Sequence, residues 1–231
     1  MPRQLADLLE SHEGTRGIVI LSGTTERETP LPFGSRGPRC HDLALYGEQA
    51  GRAVTICIES KADEPFGGTV AQELTKARKS AAMREEGKTR FPQRLDWLTG
   101  SLLGIRAFED EQRKVLADTV ADLPYQLLTA VAGTLLEAED KKASKAVLVI
   151  HEFRTKKTAD ANLDANTEAL NQFLRVLMEA NGTCAGEGSQ LRCGHMVGPI
   201  GITERAVVST SKIPCSIPLL VGKIRTDLLA A

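Results

Sequence analysis

The stretch HDLALYGEQAGRAVTICIESK, residues 41–61, decides the reading of this chain. Its two arms, His41–Tyr46 and Arg52–Lys61, read as strands, and the connector GEQAG carries glycine at both ends, which predicts a β-hairpin. Side chains alternate across a strand. Val54, Ile56 and Ile58 therefore share one face and point into a core. Glu59 and Lys61 share the other face at the strand's end, where they are expected on an open side. Folding back through a turn centred near Gln49 brings Asp42 close to the second half of the next strand. Cross-strand neighbours lie about 5 Å apart and diagonal ones about 7–8 Å, so two carboxylates and a lysine are expected to converge.

The flanks set the layers. Leu5, Leu8 and Leu9 predict a short amphipathic helix over 3–12. Gly17 to Leu21 reads as a strand, and residues 23–39, without any period, as a long loop. Beyond the hairpin, Gly67-Gly68 breaks the chain and Thr69 opens a helix with Val70, Leu74, Ala77 and Ala81 on one face. Phe91 to Ile105 is a second helical stretch, broken at Gly100 and Gly104. The clearest helix is 123–140, where Leu127, Val131 and Leu135 recur every four residues beside Leu128, Ala132 and Leu136. Ala146 to Ile150 is uninterruptedly apolar, the mark of a strand buried on both faces. Residues 163–180 form another helix, with Leu170, Phe173, Leu174 and Leu177 inward and Asn181-Gly182 as its stop. The last fifty residues, with the apolar runs VVST and IPLLVG, read as strands and loops. The expected fold is α/β (α+β): one domain over 1–231, three layers, with a mixed central sheet containing the hairpin and flanked by helices.

Composition narrows the function. The chain has 231 residues, 42% hydrophobic and 26% charged, which is globular. Lys and Arg number 29 against 30 Asp and Glu, a net charge of −1, which excludes a uniformly basic coat for nucleic acid but not a basic face. Aromatic residues are 4%, too few for a binder that stacks many bases. The longest uncharged run, Leu123 to Leu136, is short of the roughly 20 residues a spanning helix needs. No membrane partner is expected, and five cysteines without tight spacing suit a reduced, cytoplasmic chain.

Two carboxylates beside a lysine suit a hard cation. Magnesium accepts one or two protein carboxylates, keeps several waters and takes substrate phosphate; it polarises a phosphoryl oxygen and makes water a better nucleophile. A lysine close by orients or deprotonates that water, or stabilises the charge that builds on phosphorus.

His41-Asp42, followed after about seventeen residues by Glu59-Ser60-Lys61, resembles the PD-(D/E)xK nuclease superfamily, the restriction-endonuclease-like fold. Here His41 stands where the motif name has proline. The stretch YQLLTAVAGT leading into AVLVIHEF also resembles a group of bacterial proteins carrying this fold. The resemblance spans residues 1–153 as a nuclease-like core, with 154–231 an elaboration of the same domain. It implies that Asp42 and Glu59 hold magnesium or manganese, that the Ser60 carbonyl is a further ligand, and that Lys61 activates water. DNA is the implied partner and a homodimer fits cleavage of both strands. A different class remains beside it: a catalytically inactive binding or scaffold module, with the three charges a solvated hairpin face and the Glu–Lys pair worth little.

Other candidates each have a plainer explanation. Gln72, an accessory site residue in some branches, also completes a T-x-x-Q capping box with Thr69. Glu10, the second accessory candidate, and Glu13 read as solvated acids. His151-Glu152 lacks the second histidine of a zinc protease. Cys184, Cys193, His195 and Cys215 fit no tight zinc spacing, and Cys57 shares parity with Glu59. Seven Lys and Arg from Lys76 to Arg94, and six from Lys141 to Lys157, suggest basic patches for phosphates; Lys76, Lys79 and Arg84 are the candidate nucleic-acid contacts.

Overall fold

Residues 39–61 fold as the expected hairpin, with a longer first arm. A computed structural model describes residues 1–33, 37–84, 87–183, 190–205 and 212–228. Strand β2 (Arg39–Gln49) pairs antiparallel with β3 (Arg52–Lys61), from Gln49 opposite Arg52 to Leu43 opposite Ile58. Gly47, Glu48 and Gln49 belong to the strand, so the turn is only Ala50-Gly51. Both adopt positive φ, 49° and 74°, as a two-residue hairpin turn of the primed type requires.

The chain begins with α1 (Arg3–Ser11), whose Leu5, Leu8 and Leu9 are buried, and continues into β1 (Val19–Thr29). The loop expected over 23–39 is therefore corrected: the strand runs on through Thr29, and β2 starts at Arg39. β1 is the edge of the sheet and nearly all its side chains are exposed. Beyond the run Val19-Ile20-Leu21 no apolar alternation marks the strand, and only the threonines of TTERET carry its β preference there. After the hairpin come α2 (Val70–Ala82), α3 (Phe91–Leu103), the single turn α4 (Asp118–Ala121) and α5 (Tyr125–Asp140). Gly104, at φ 67°, stops α3, whereas Gly100 lies inside it. Strand β4 (Lys145–Arg154), helix α6 (Asp160–Ala180), β5 (His195–Ile200) and β6 (Leu219–Asp227) complete the described chain. The run VVST lies outside the described residues.

The six strands form one mixed sheet in the order β1-β2-β3-β4-β6-β5. β3, β4 and β6 are parallel and the remaining pairs antiparallel. The segment after residue 153 supplies β6, which lies between β4 and β5, so the sheet and its core run through it. One face carries Val54, Ile56, Ile58, Val147, Val149, Leu220 and Ile224 against the leucines of α1. The other carries Leu148, Ile150, Leu219 and Val221 against α3, α5 and α6. The result is the expected three-layer α+β core, with β3 and β4 buried on both faces. The parallel strands β3 and β4 also end together, and the hairpin delivers its charged residues to that end.

Candidate active site at the end of β3

The three motif residues arrive at one place through the hairpin register. Asp42 and Glu59 are the next residues outward from the last paired couple, Leu43 and Ile58. Asp42 Oδ2 accepts the Ser60 backbone N–H at 2.6 Å, which fixes the end of β2 to the end of β3. Lys61 Nζ lies 3.0 Å from Glu59 Oε1 and 3.6 Å from Glu64 Oε1. Asp42, Glu59, Ser60 and Lys61 all line one cavity of about 350 Å³.

The face that carries Glu59 and Lys61 is not the open side expected. Glu59 is 3% and Lys61 4% exposed: Gln126 of α5 and Arg39 reach Glu59, and Lys61 lies beneath Glu64 and the Phe66 ring. Tyr125 and Gln126, at the first turn of α5, form one wall, and the Gln126 amide donates to Glu59 Oε1. The other wall is residues 64–68 with Glu73 of α2. Val70 N–H to Leu123 O, 2.9 Å, and Tyr125 N–H to Gly68 O, 3.3 Å, tie the walls together. Gly68 has a steric reason: a Cβ there would meet Glu73 Oε1 at 2.5 Å. Glu73, buried at the cavity edge, pairs with Lys76 at 2.7 Å.

Arg39 is the residue that sequence reasoning missed. It lay in the segment read as loop, yet it opens β2 and forms an ion pair with Glu59 Oε2. Its stem crosses the middle of α5 at Gly133. A Cβ at 133 would come within 2.8 Å of Arg39 Cγ and 2.9 Å of His41 Nε2. A glycine inside a helix costs about 1 kcal/mol against alanine and marks a close approach; it was the one signal available.

Burial sets the protonation behaviour. It pulls the Lys61 ammonium below its usual range, against the opposing pull of the Glu64 and Asp42 charges. Burial also lowers Arg39, again opposed by Asp42. His41, fully buried, is pushed down to about 4 by burial first and by the Arg39 charge second. Cys57, on the Glu59 face and fully buried, is pushed up to about 12 by burial.

The remaining candidates do not join this cavity. Gln72 closes the capping box: its side chain accepts the Thr69 N–H at 3.1 Å while Thr69 Oγ1 accepts the Gln72 N–H at 3.4 Å. The capping box that the sequence offered for Gln72 is thus formed, and Gln72 does not line the cavity. Glu10 Oε1 accepts the Gly17 N–H at 3.1 Å on the exposed side of α1. His151 Nε2 contacts Thr226 Oγ1 at 2.8 Å. Glu152 is fully buried between Lys223 at 2.9 Å and Arg225 at 3.0 Å. Cys193 and Cys215 are free thiols, and Cys184 lies outside the described residues. Lys79 and Arg84 stand exposed on α2 and just beyond it. In the second basic segment, Lys141 pairs with Asp140 at 2.8 Å and Arg154 with Asp160 at 2.7 Å.

The donor set fits a hard divalent cation. Asp42, Glu59, Glu64 and Glu73 all line the cavity, so every side-chain donor there of negative charge is a carboxylate oxygen. Among the described residues no three His, Cys, Asp or Glu side chains come close enough to cage a metal by themselves. A pair of carboxylates completed by water and substrate oxygen is the arrangement magnesium favours. Over residues 1–227 the chain matches the family described as a domain of unknown function (DUF6946). The chain belongs to this family. No curated protein and no solved structure matches it. Nothing in the DUF6946 description assigns chemistry, so the geometry of the cavity carries the functional argument. No helix among the described residues is long and apolar enough to cross a membrane.

Proposed function

We propose that this chain is a magnesium-dependent endonuclease, able to use manganese, that hydrolyses phosphodiester bonds of DNA on a restriction-endonuclease-like core of the PD-(D/E)xK type. The observation that carries the reading is the convergence at the end of β3. Asp42 holds the Ser60 peptide at 2.6 Å, Lys61 lies 3.0 Å from Glu59, and all four residues line one cavity.

The residues divide the work. Asp42 and Glu59, with the Ser60 carbonyl, would hold the ion. Magnesium, when bound, polarises a phosphoryl oxygen and acidifies water. Lys61, 3.0 Å from Glu59, would orient the attacking water and stabilise the charge that builds on phosphorus. The water oxygen would bond to phosphorus with loss of its proton to solvent, while the P–O bond to the leaving strand breaks and the departing oxygen takes a proton from solvent. The exposed Lys79 and Arg84 would meet the DNA backbone, with Lys76 beside them on α2. A homodimer would place two such sites on one duplex, and a cytoplasmic location suits the substrate.

One observation favours a second reading, an inactive nuclease-fold binding module. Glu59 already has a donor on each oxygen, Arg39 on Oε2 and Lys61 with Gln126 on Oε1, as a structural ion pair would. Cleavage of supercoiled plasmid and linear DNA with magnesium, manganese or EDTA separates the two. The nuclease reading expects metal-dependent cutting by the wild type and none by Glu59→Ala or Lys61→Ala. An inert wild type, or variants that cut equally well, would overturn it in favour of the binding module.

A further inference from the structure

Arg39 stands between two cavities. It reaches Glu59 on the wall of the first, and it lines a second of about 220 Å³ with Leu31, Pro38, Arg94, Tyr125 and Thr129. Tyr125 and Gln126 form the partition, since both line both cavities. The other guanidinium there is committed: Arg94 donates to the carbonyls of Pro32 and Gly37 at 3.0 Å each and of Leu31 at 3.5 Å. Arg39 is not saturated. A guanidinium has five N–H donors, and its buried Nε has no hydrogen-bond partner among the described residues. Arg39 is also nine-tenths buried, and Gly133 is shaped to pass its stem. A buried arginine with a donor to spare, lining a space of that size, suits a phosphate, which a guanidinium can hold with two parallel bonds.

We infer that Arg39 is a phosphate-binding residue held in reserve: Glu59 occupies its guanidinium until a divalent cation takes Glu59, and the freed guanidinium then holds a backbone phosphate of the nucleic acid in the second cavity. The inference rests on the metal reading of Glu59. Its physical basis is competition. One carboxylate oxygen cannot serve a guanidinium and a small divalent cation at full strength, so each weakens the other, and anything that gives Arg39 another anion favours the metal. Metal and phosphodiester are then mutually reinforcing ligands, and the reinforcement must be equal in both directions.

The test is calorimetric titration of manganese into the intact chain, with and without a phosphorothioate DNA duplex that resists cleavage. The wild type should bind manganese more tightly with the duplex present, by a factor within the usual span of site–site coupling, about 5–150-fold. Arg39→Met should bind manganese more tightly than wild type without DNA, and the duplex should no longer sharpen its binding. Arg39→Lys, which keeps the charge, should restore the weaker wild-type affinity, and thermal melts of each variant check that the fold persists. Equal or weaker manganese binding by Arg39→Met, or unchanged coupling to DNA, overturns the inference. Glu59→Gln separates the two levels. If it binds manganese as well as wild type, the metal reading falls and the inference with it. If it loses manganese while Arg39→Met behaves as wild type, only the inference falls.

Discussion

Glu59 on β3 and Glu152 on β4 are near neighbours, since Glu152 stands in register opposite Lys61. Both are buried acids, and each is held by a lysine and an arginine: Lys61 and Arg39 for one, Lys223 and Arg225 for the other. Their surroundings differ. Lys223 also bonds Thr167 on α6 at 2.5 Å, so the Glu152 cluster ties the sheet to that helix. Glu59 instead borders a cavity that a second carboxylate, Asp42, also lines. The pair teaches that a buried, ion-paired acid is a brace by default. A second carboxylate and room for an ion with its waters turn the same chemistry into a candidate site.

Substitutions can break or sharpen that contrast. The largest effect is expected for Glu59→Gln. DNA cleavage should fall by about a thousandfold, the several kcal/mol that a metal contributes to the transition state. Its melting temperature should fall less than that of Glu152→Gln, because Lys61 and Arg39 border cavities and can recruit water. Glu152→Gln should cost about 3–5 kcal/mol in denaturant unfolding, since removing one partner leaves Lys223 charged and buried. Its cleavage rate per folded molecule should match wild type. A variant at 59 that is less stable than the one at 152 would erase the distinction.

His41 extends the comparison to acid. Its pKa lies near 4 when folded against 6.5 for the free side chain. Between those values the unfolded chain binds the extra proton, so stability rises with pH through that window and is fully present above 6.5. Acidification from pH 6.5 to 4 should therefore remove about 3 kcal/mol, and thermal melts should show this part of the acid loss missing in His41→Leu. The smallest effect belongs to Gln72→Ala, which opens the capping box of α2. It should cost less than the roughly 1 kcal/mol of losing the N-cap residue, since Thr69 keeps its bond to the backbone N–H of residue 72, and leave cleavage untouched; lost cleavage would place Gln72 in the site.

The motif half of the site was legible because it lies where periodicity is strongest. Val54, Ile56 and Ile58 assign the faces of β3, and parity then places Glu59 and Lys61. What parity cannot say is what covers the polar face. The start of α5 reads as core helix, so Gln126 over Glu59 left no trace in the pattern. Arg39 was hidden by the same cause that hid the second half of β1. An exposed edge strand has no apolar alternation, and a loop reading over 23–39 absorbed the first residue of β2 along with it. Thr69 and Gln72 were legible as a cap because capping is local in sequence, whereas the Glu152 brace depends on β6, about seventy residues away.

The most direct test of the central claim is a crystal grown with manganese and read by anomalous scattering. The account predicts a peak between the carboxylates of Asp42 and Glu59, with Arg39 withdrawn from Glu59. A peak elsewhere, or manganese-soaked crystals in which Arg39 still holds Glu59 and no ion lies beside Asp42, would contradict it.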